Sequence, residues 1–382
     1  MNAVTADFGP EERAMQEYFH EGAARALKLG NRGPIRFAGN GRLHPDIVDA
    51  YLETGFYIFE KVLAPEEISE LRADLHDMLD RLPSGRGVAV DGKGRPALGS
   101  QLRVSPLMWA KPLGDPLGGS ASASVRYPVK MIEARSAADL PEEIVYIITG
   151  PLQFSDAALR VYGHPSLLSI AASLNGDDFV PFSEGFIIKK PGEGSAFAWH
   201  QDGLTHWNNP AWDLQIHGFN FMAQLYPSTA ANGVWFIPGS HSQGKRDIKA
   251  MVAVAGSNRL PGAVPLVCDA GDVALSNRQV LHSSFANATD DWRVTLNLGF
   301  HRRNSVLGAR APGIDGETKT YDAERIRKRA EMIGYAIDAR RQRFSGERPY
   351  VYRPHVESGE RYQWNPCARA KIEGYNLLDL IL

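Results

Sequence analysis

Cysteine is nearly missing from this chain: Cys268 and Cys367 are the only two. Two cysteines make neither a disulfide framework nor a thiolate metal site, so a reducing cytoplasm is the expected setting. Long apolar runs are missing as well, none reaching the roughly 18 residues that a bilayer span needs. Met1 to Pro10 lacks the basic and apolar blocks of a signal peptide. Nor is there an excess of charge, because 42 Lys and Arg face 44 Asp and Glu for a net charge of −2. That balance argues against a nucleic-acid partner and offers no polybasic membrane surface. Internal repeats and low-complexity tracts are also absent.

What is present is an ordinary globular composition, 43% apolar and 23% charged, over 382 residues. A chain of this length can bury a sizeable core. Pro10-Glu11-Glu12 opens a helix expected to run to about Leu29, with acids at its positive end. A strand is expected at Phe56 to Phe59. A second helix follows from Pro65, where Ile68, Leu71, Leu75, Met78 and Leu79 form one apolar stripe. From Pro83 to Ser124 the chain is rich in Gly, Pro and Ser, the texture of a functional loop or lid. Its Leu107, Met108 and Trp109 suggest that it packs on something. Helical patterns are read at Pro141 to Thr149 and Ser155 to Leu174. From Phe182 to Phe300 short strands alternate with turns, which points to a sandwich or barrel. In the last strand Arg293, Thr295 and Asn297 share one face, and Val294, Leu296, Leu298 and Phe300 the other. A basic helix is expected from Asp322 to Phe344.

Within this β-rich region Trp199-His200-Gln201-Asp202 sets a histidine and a carboxylate two residues apart. On an extended strand they project from the same face, roughly 6.5 Å apart. Two histidines and one carboxylate with open positions mark non-haem Fe(II) oxygenases. A barrel brings a third ligand from a distant strand. His206, His217, His241, His282 and His301 all lie downstream. His282 is the best candidate because Arg293 follows it at the head of the alternating strand. A guanidinium there can hold a carboxylate bidentately. The co-substrate that puts one carboxylate on iron and another against an arginine is 2-oxoglutarate.

The ordered set His200-Gln201-Asp202, Asn232-Gly233, Pro238-Gly239-Ser240-His241, Gly271-Asp272, and His282 followed by Arg293 resembles the phytanoyl-CoA dioxygenase family of Fe(II)/2-oxoglutarate oxygenases. Gly55-Phe56-Tyr57 and Pro65-Glu66-Glu67 resemble the start of that family, so the likeness covers roughly residues 45 to 303. It implies a mainly β core, a double-stranded β-helix (jelly roll, cupin-like) with flanking α-helices. It implies His200, Asp202 and His282 as iron ligands, with Arg293 and Ser284 on the distal carboxylate of 2-oxoglutarate. Lys130 is a further co-substrate contact by the same resemblance, and Phe186 and Met222 are apolar lining. The implied reaction consumes O₂ and converts 2-oxoglutarate to succinate and CO₂ while a small organic substrate is oxidised. Related halogenases carry a small residue where Asp202 stands, so hydroxylation or another oxidation is expected rather than chlorination. The expected organisation is one domain over residues 1–382. It has a helical N-terminal part at 1–180 with a lid-like loop at 83–124, a jelly-roll core at 182–303 and a C-terminal extension at 304–382.

Plainer readings stand beside these. His-x-Asp alone is common on surface strands without a metal. Arg293 could be an ion-pair partner of Asp290 or Asp291, and His241 a hydrogen-bonded turn residue. His206 and Trp207 follow the motif closely and are candidate substrate contacts, against ordinary packing of the rim. The basic helix, with Arg325, Arg327, Lys328, Arg329, Arg340, Arg341 and Arg343, reads as a solvated face. The end at Leu377 to Leu382 packs on its own core or on a partner, and oligomeric state is open. Two other functions remain: a non-catalytic cupin-like binding protein, and a hydrolase using Zn²⁺ on the same three ligands.

Overall fold

The computed structural model describes residues 6–120, 126–136, 139–202 and 217–380. Its two principal sheets use strands β1 (Arg32–Gly33), β2 (Phe56–Phe59), β3 (Leu107–Ala110), β4 (Ile144–Thr149), β5 (Val180–Lys189), β6 (Phe197–His200), β7 (Gly218–Gln224), β8 (Trp235–Phe236), β9 (Val264–Pro265), β10 (Val273–Asn277), β11 (His282–Ser284) and β12 (Arg293–His301). The larger sheet has the order β1-β2-β10-β7-β12-β5-β4-β3, and the smaller β9-β8-β11-β6. From β5 to β12 the chain crosses between the two sheets at every step except β8 to β9, which share the smaller sheet, the winding of a double-stranded β-helix. The mainly β jelly roll expected from the sequence is therefore the fold observed.

Alternation decides which side chains enter the barrel. Val294, Leu296, Leu298 and Phe300 of β12 are buried on the outer face of the larger sheet, with Leu167, Leu168 and Ile170 of the helix Pro165–Asn175. Met222, Ala274, Val234 and Phe236 fill part of the space between the sheets. The outer face of the smaller sheet is closed by the helix Glu12–Ala26, whose Tyr18 stacks on Trp235 at a centroid distance of 4.4 Å. With the outer face of each sheet covered by apolar packing, the barrel interior is where polar groups such as Asn220, Arg293 and Asn297 converge.

Three expectations need correction. Ile144–Thr149 is strand β4, not helix, and pairs with β3 and β5. Its sequence, Ile-Val-Tyr-Ile-Ile-Thr, is β-branched and aromatic, and that preference outweighs a short helical period. The helix expected over Ser155 to Leu174 is two, Asp156–Tyr162 and Pro165–Asn175. Pro165 begins the second, where its missing N–H costs nothing, and the His164 ring accepts the Ser166 N–H at 3.2 Å. The basic helix, observed at Ala323–Arg343, is not merely solvated. Arg329 is 0% exposed and bridges Glu184 (2.5 Å) and Asp379 (2.7 Å), while Arg340 pairs with Glu67 at 2.7 Å. Leu380 is buried with Val180 and Phe182, so this end of the chain packs on its own core.

Candidate metal centre

β6 and β11 lie side by side with His200 opposite His282. Cross-strand partners carry their Cβ atoms about 4.5–5.5 Å apart, and these two rings approach to 4.0 Å between centroids. Between the pairs His200–His282 and Phe197–Ser284, β6 holds one residue more than β11. This bulge turns Phe197 and His200 both into the barrel, while Ala198 and Trp199 pack together in the outer core. The strand ends at His200, shorter than the extended run to Asp202 expected from the motif. Asp202 follows in a bend, held by its N–H to the Arg278 carbonyl at 2.9 Å.

The result is a compact donor set. One ligand atom each from His200, Asp202 and His282 lie within 4.8 Å of one another, and His200 Nε2 is 3.6 Å from Asp202 Oδ1. Each imidazole uses Nδ1 on a backbone carbonyl: His200 on Ala198 at 2.7 Å, His282 on Val280 at 2.9 Å. A carbonyl only accepts, so Nδ1 carries the proton and Nε2 offers a lone pair. Outer hydrogen bonds of this kind fix the tautomer that a metal needs. Burial, with His282 and Arg126 nearby, holds His200 well below its usual value, and burial takes His282 down to about 4. Both rings are neutral donors at neutral pH. The three residues could hold a divalent metal with one side left open.

The same cavity, about 150 Å³, is lined on its far wall by Arg293, Ser284, Asn297, Met222 and Ile187. Arg293 is 1% exposed, and burial lowers its guanidinium to about 10. Its Nε and Nη2 have no hydrogen-bond partner among the described residues, which rules out the ion pair with Asp290 or Asp291 as their satisfaction. A buried cation with unused donors is costly unless an anion joins it. This wall therefore fits the carboxylate of a small acid, as 2-oxoglutarate requires.

Several expected residues fall elsewhere. Lys130 is 57% exposed, pairs with Glu133 at 2.9 Å and lines a separate groove of about 790 Å³. Arg126 and Tyr127 enter the cavity instead, because the chain turns away after Tyr127 and Met131 donates to Asp115 Oδ2. Phe186 packs in the outer core opposite Leu296, and its neighbour Ile187 lines the cavity. A shift of one residue on a strand exchanges the faces. Ser284 and Met222 do line the cavity, and His206 and Trp207 lie outside the described residues.

Other contributors were not singled out from the sequence. Arg126 forms an ion pair with Asp202 Oδ1, and Asn220 Nδ2 lies 3.5 Å from Oδ2. Asn220 sits between Phe219 and Phe221, and Asn297 shares the Arg293 face, so a polar residue facing inward was a readable signal for both. Arg126 lies in an irregular segment and had none. Gln201 is a brace: it donates to the Gln279 carbonyl at 2.8 Å and accepts the Arg246 N–H at 2.8 Å. His241 Nε2 meets the Leu52 carbonyl at 3.0 Å, the structural role expected of it.

Among known proteins, the dioxygenase lolE1 of Epichloe uncinata is 29% identical over 143 residues, 35% of this chain and 50% of that protein. The chain thus spans about half the length of this curated relative. EctD from S. alaskensis, solved with 2-oxoglutarate and 5-hydroxyectoine, is 18% identical with a TM-score of 0.48, covering 72% of this chain and 81% of EctD. SnoK, a non-heme alpha ketoglutarate dependent carbocyclase from nogalamycin biosynthesis, is 17% identical with a TM-score of 0.45, covering 68% and 84%. The sequence pattern of the phytanoyl-CoA dioxygenase family matches residues 51–295, more than half of the chain and the whole stretch that carries the donor set. The protein belongs to the phytanoyl-CoA dioxygenase family.

Proposed function

We propose that this protein is an Fe(II)- and 2-oxoglutarate-dependent dioxygenase that hydroxylates a small organic substrate. One observation carries the reading: the neutral two-histidine, one-carboxylate set and the buried guanidinium of Arg293, whose Nε and Nη2 have no partner among the described residues, line the same cavity. A binding protein needs neither the tautomer control nor the orphaned charge. We assign His200, Asp202 and His282 as the iron ligands, and Arg293 with Ser284 as the anchor of the co-substrate's distal carboxylate. Iron and 2-oxoglutarate, when bound, supply the activation of O₂ through oxidative decarboxylation to succinate and CO₂.

The chain's own residues do the rest. The Ala198 and Val280 carbonyls keep the two rings aimed. Asn220 steadies the outer oxygen of Asp202, and Phe197, Ile187, Met222 and Val234 exclude water from the cavity. Asp202 fills a position that halide chemistry requires to be vacant, which favours hydroxylation, or another oxidation such as desaturation or ring formation, over chlorination, and of these we assign hydroxylation. His206 and Trp207 remain the proposed substrate contacts. The whole chain acts as one unit on a small molecule, and the cytoplasm is the setting proposed for it.

Anaerobic addition of Fe(II) and 2-oxoglutarate tests the assignment. A visible metal-to-ligand charge-transfer band is expected. Iron-loaded protein that shows no band overturns it and favours hydrolysis at the same ligands.

A further inference from the structure

Lys189 is the last residue of β5 and pairs across the sheet with Arg293, the first residue of β12. It lies two residues beyond Ile187, which lines the cavity, and so shares its inward face. The side chain is 1% exposed, and its Nζ donates to the Phe285 carbonyl, its one hydrogen-bond partner among the described residues. No carboxylate forms an ion pair with it among those residues. Asp115, the acidic group that acts on it from nearby, already accepts the N–H groups of Leu117, Gly118 and Met131. Burial and the charge of Arg293 both press the ammonium to lose its proton. The surroundings are nevertheless shaped to hold this side chain: a Cβ on Gly194 would come within 2.6 Å of the Lys189 Cβ.

Two cationic side chains buried side by side, with no anion paired to either among the described residues, make poor structural sense in the protein alone. A bound carboxylate resolves the conflict for both. We infer that Lys189 is the second charge of the co-substrate anchor, and that Lys189 and Arg293 together select a 2-oxo acid carrying a second carboxylate. This rests on the function proposed above and adds a residue to it. The competing role is a strut, because Phe285 follows His282 by three residues and the Lys189 bond ties that strand to β5.

Lys189→Gln keeps a donor for the Phe285 carbonyl and removes the charge. Binding is read from the charge-transfer band of anaerobic Fe(II) protein, with 2-oxoglutarate and with 2-oxopentanoate, which has a methyl group in place of the distal carboxylate. We expect Lys189→Gln to raise the half-saturating 2-oxoglutarate concentration by about tenfold or more and to leave 2-oxopentanoate within about twofold. Lys189→Arg should restore most of the preference. Equal weakening for both acids assigns Lys189 as a strut, and unchanged 2-oxoglutarate binding removes it from the anchor; either overturns the inference. Should the glutamine variant fail to fold, Lys189→Met gives the same comparison without burying a new polar group. A wild-type protein with no band for either acid would instead sink the proposed function, and this inference with it.

Discussion

Arg293 and His282 are the side chains on which the proposed chemistry turns. Removing one member of a buried, hydrogen-bonded charge pair costs about 2–5 kcal/mol, so Arg293→Met should raise the half-saturating concentration of 2-oxoglutarate by about 30-fold or more. Iron affinity, measured separately by metal titration, should be unchanged because Arg293 is not one of the three donors. His282→Ala should abolish succinate formation while the circular dichroism spectrum stays native, and retained turnover would mean that the third ligand is misassigned. These residues were legible because each is chemically unusual for its position. Lys130 and Phe186 were misplaced by small distances that strand geometry and loop path amplify: Arg126 takes the first place and Ile187 the second. Nothing in the local sequence says where an irregular loop turns.

Elements show the same division. The helix Pro65–Asp80 and strand Phe56–Phe59 follow the apolar spacing closely, since burial rewards a periodic face. Ile144–Thr149 escaped because a short apolar run fits either period, and its β-branched and aromatic residues, paired on both sides in the sheet, make it a strand. At the start of the helix Pro165–Asn175, His164 caps as a neutral acceptor, and burial followed by Arg340 lowers it to about 3. A histidine depressed when folded lends stability above its unfolded value, near 6.5, and that stability fades as pH falls toward the folded value. Urea midpoints should therefore drop between pH 7 and pH 5, with about 2 kcal/mol from this residue by pH 5. His164→Asn, which can cap without titrating, should flatten that part of the profile. An unchanged slope would move the acid sensitivity elsewhere.

At the scale of the whole molecule, the C-terminal part is fastened to the barrel through buried charge. Arg329 spans Glu184 on β5 and Asp379 near the end of the chain, and Tyr375 donates to Glu184 at 3.0 Å. Breaking a buried ion network by removing one partner costs about 3–5 kcal/mol. Arg329→Leu should therefore lower the melting temperature by roughly 4–6 °C, and a change within error would show that the network is dispensable. The sequence by itself determined a β-rich sandwich or barrel and the candidate donor types at His200, Asp202 and His282, and its ordered motifs carried the resemblance to the family and its jelly roll. The β-rich reading follows from alternation and turn residues, and the rest from the ordered motifs that carry the resemblance. Only the tertiary structure decided that Arg293 has unused donors among the described residues, that Lys189 lies beside it, and that Arg329 is buried rather than solvated. Whether a charge is satisfied depends on residues far away in the chain, and only the packed fold brings those together.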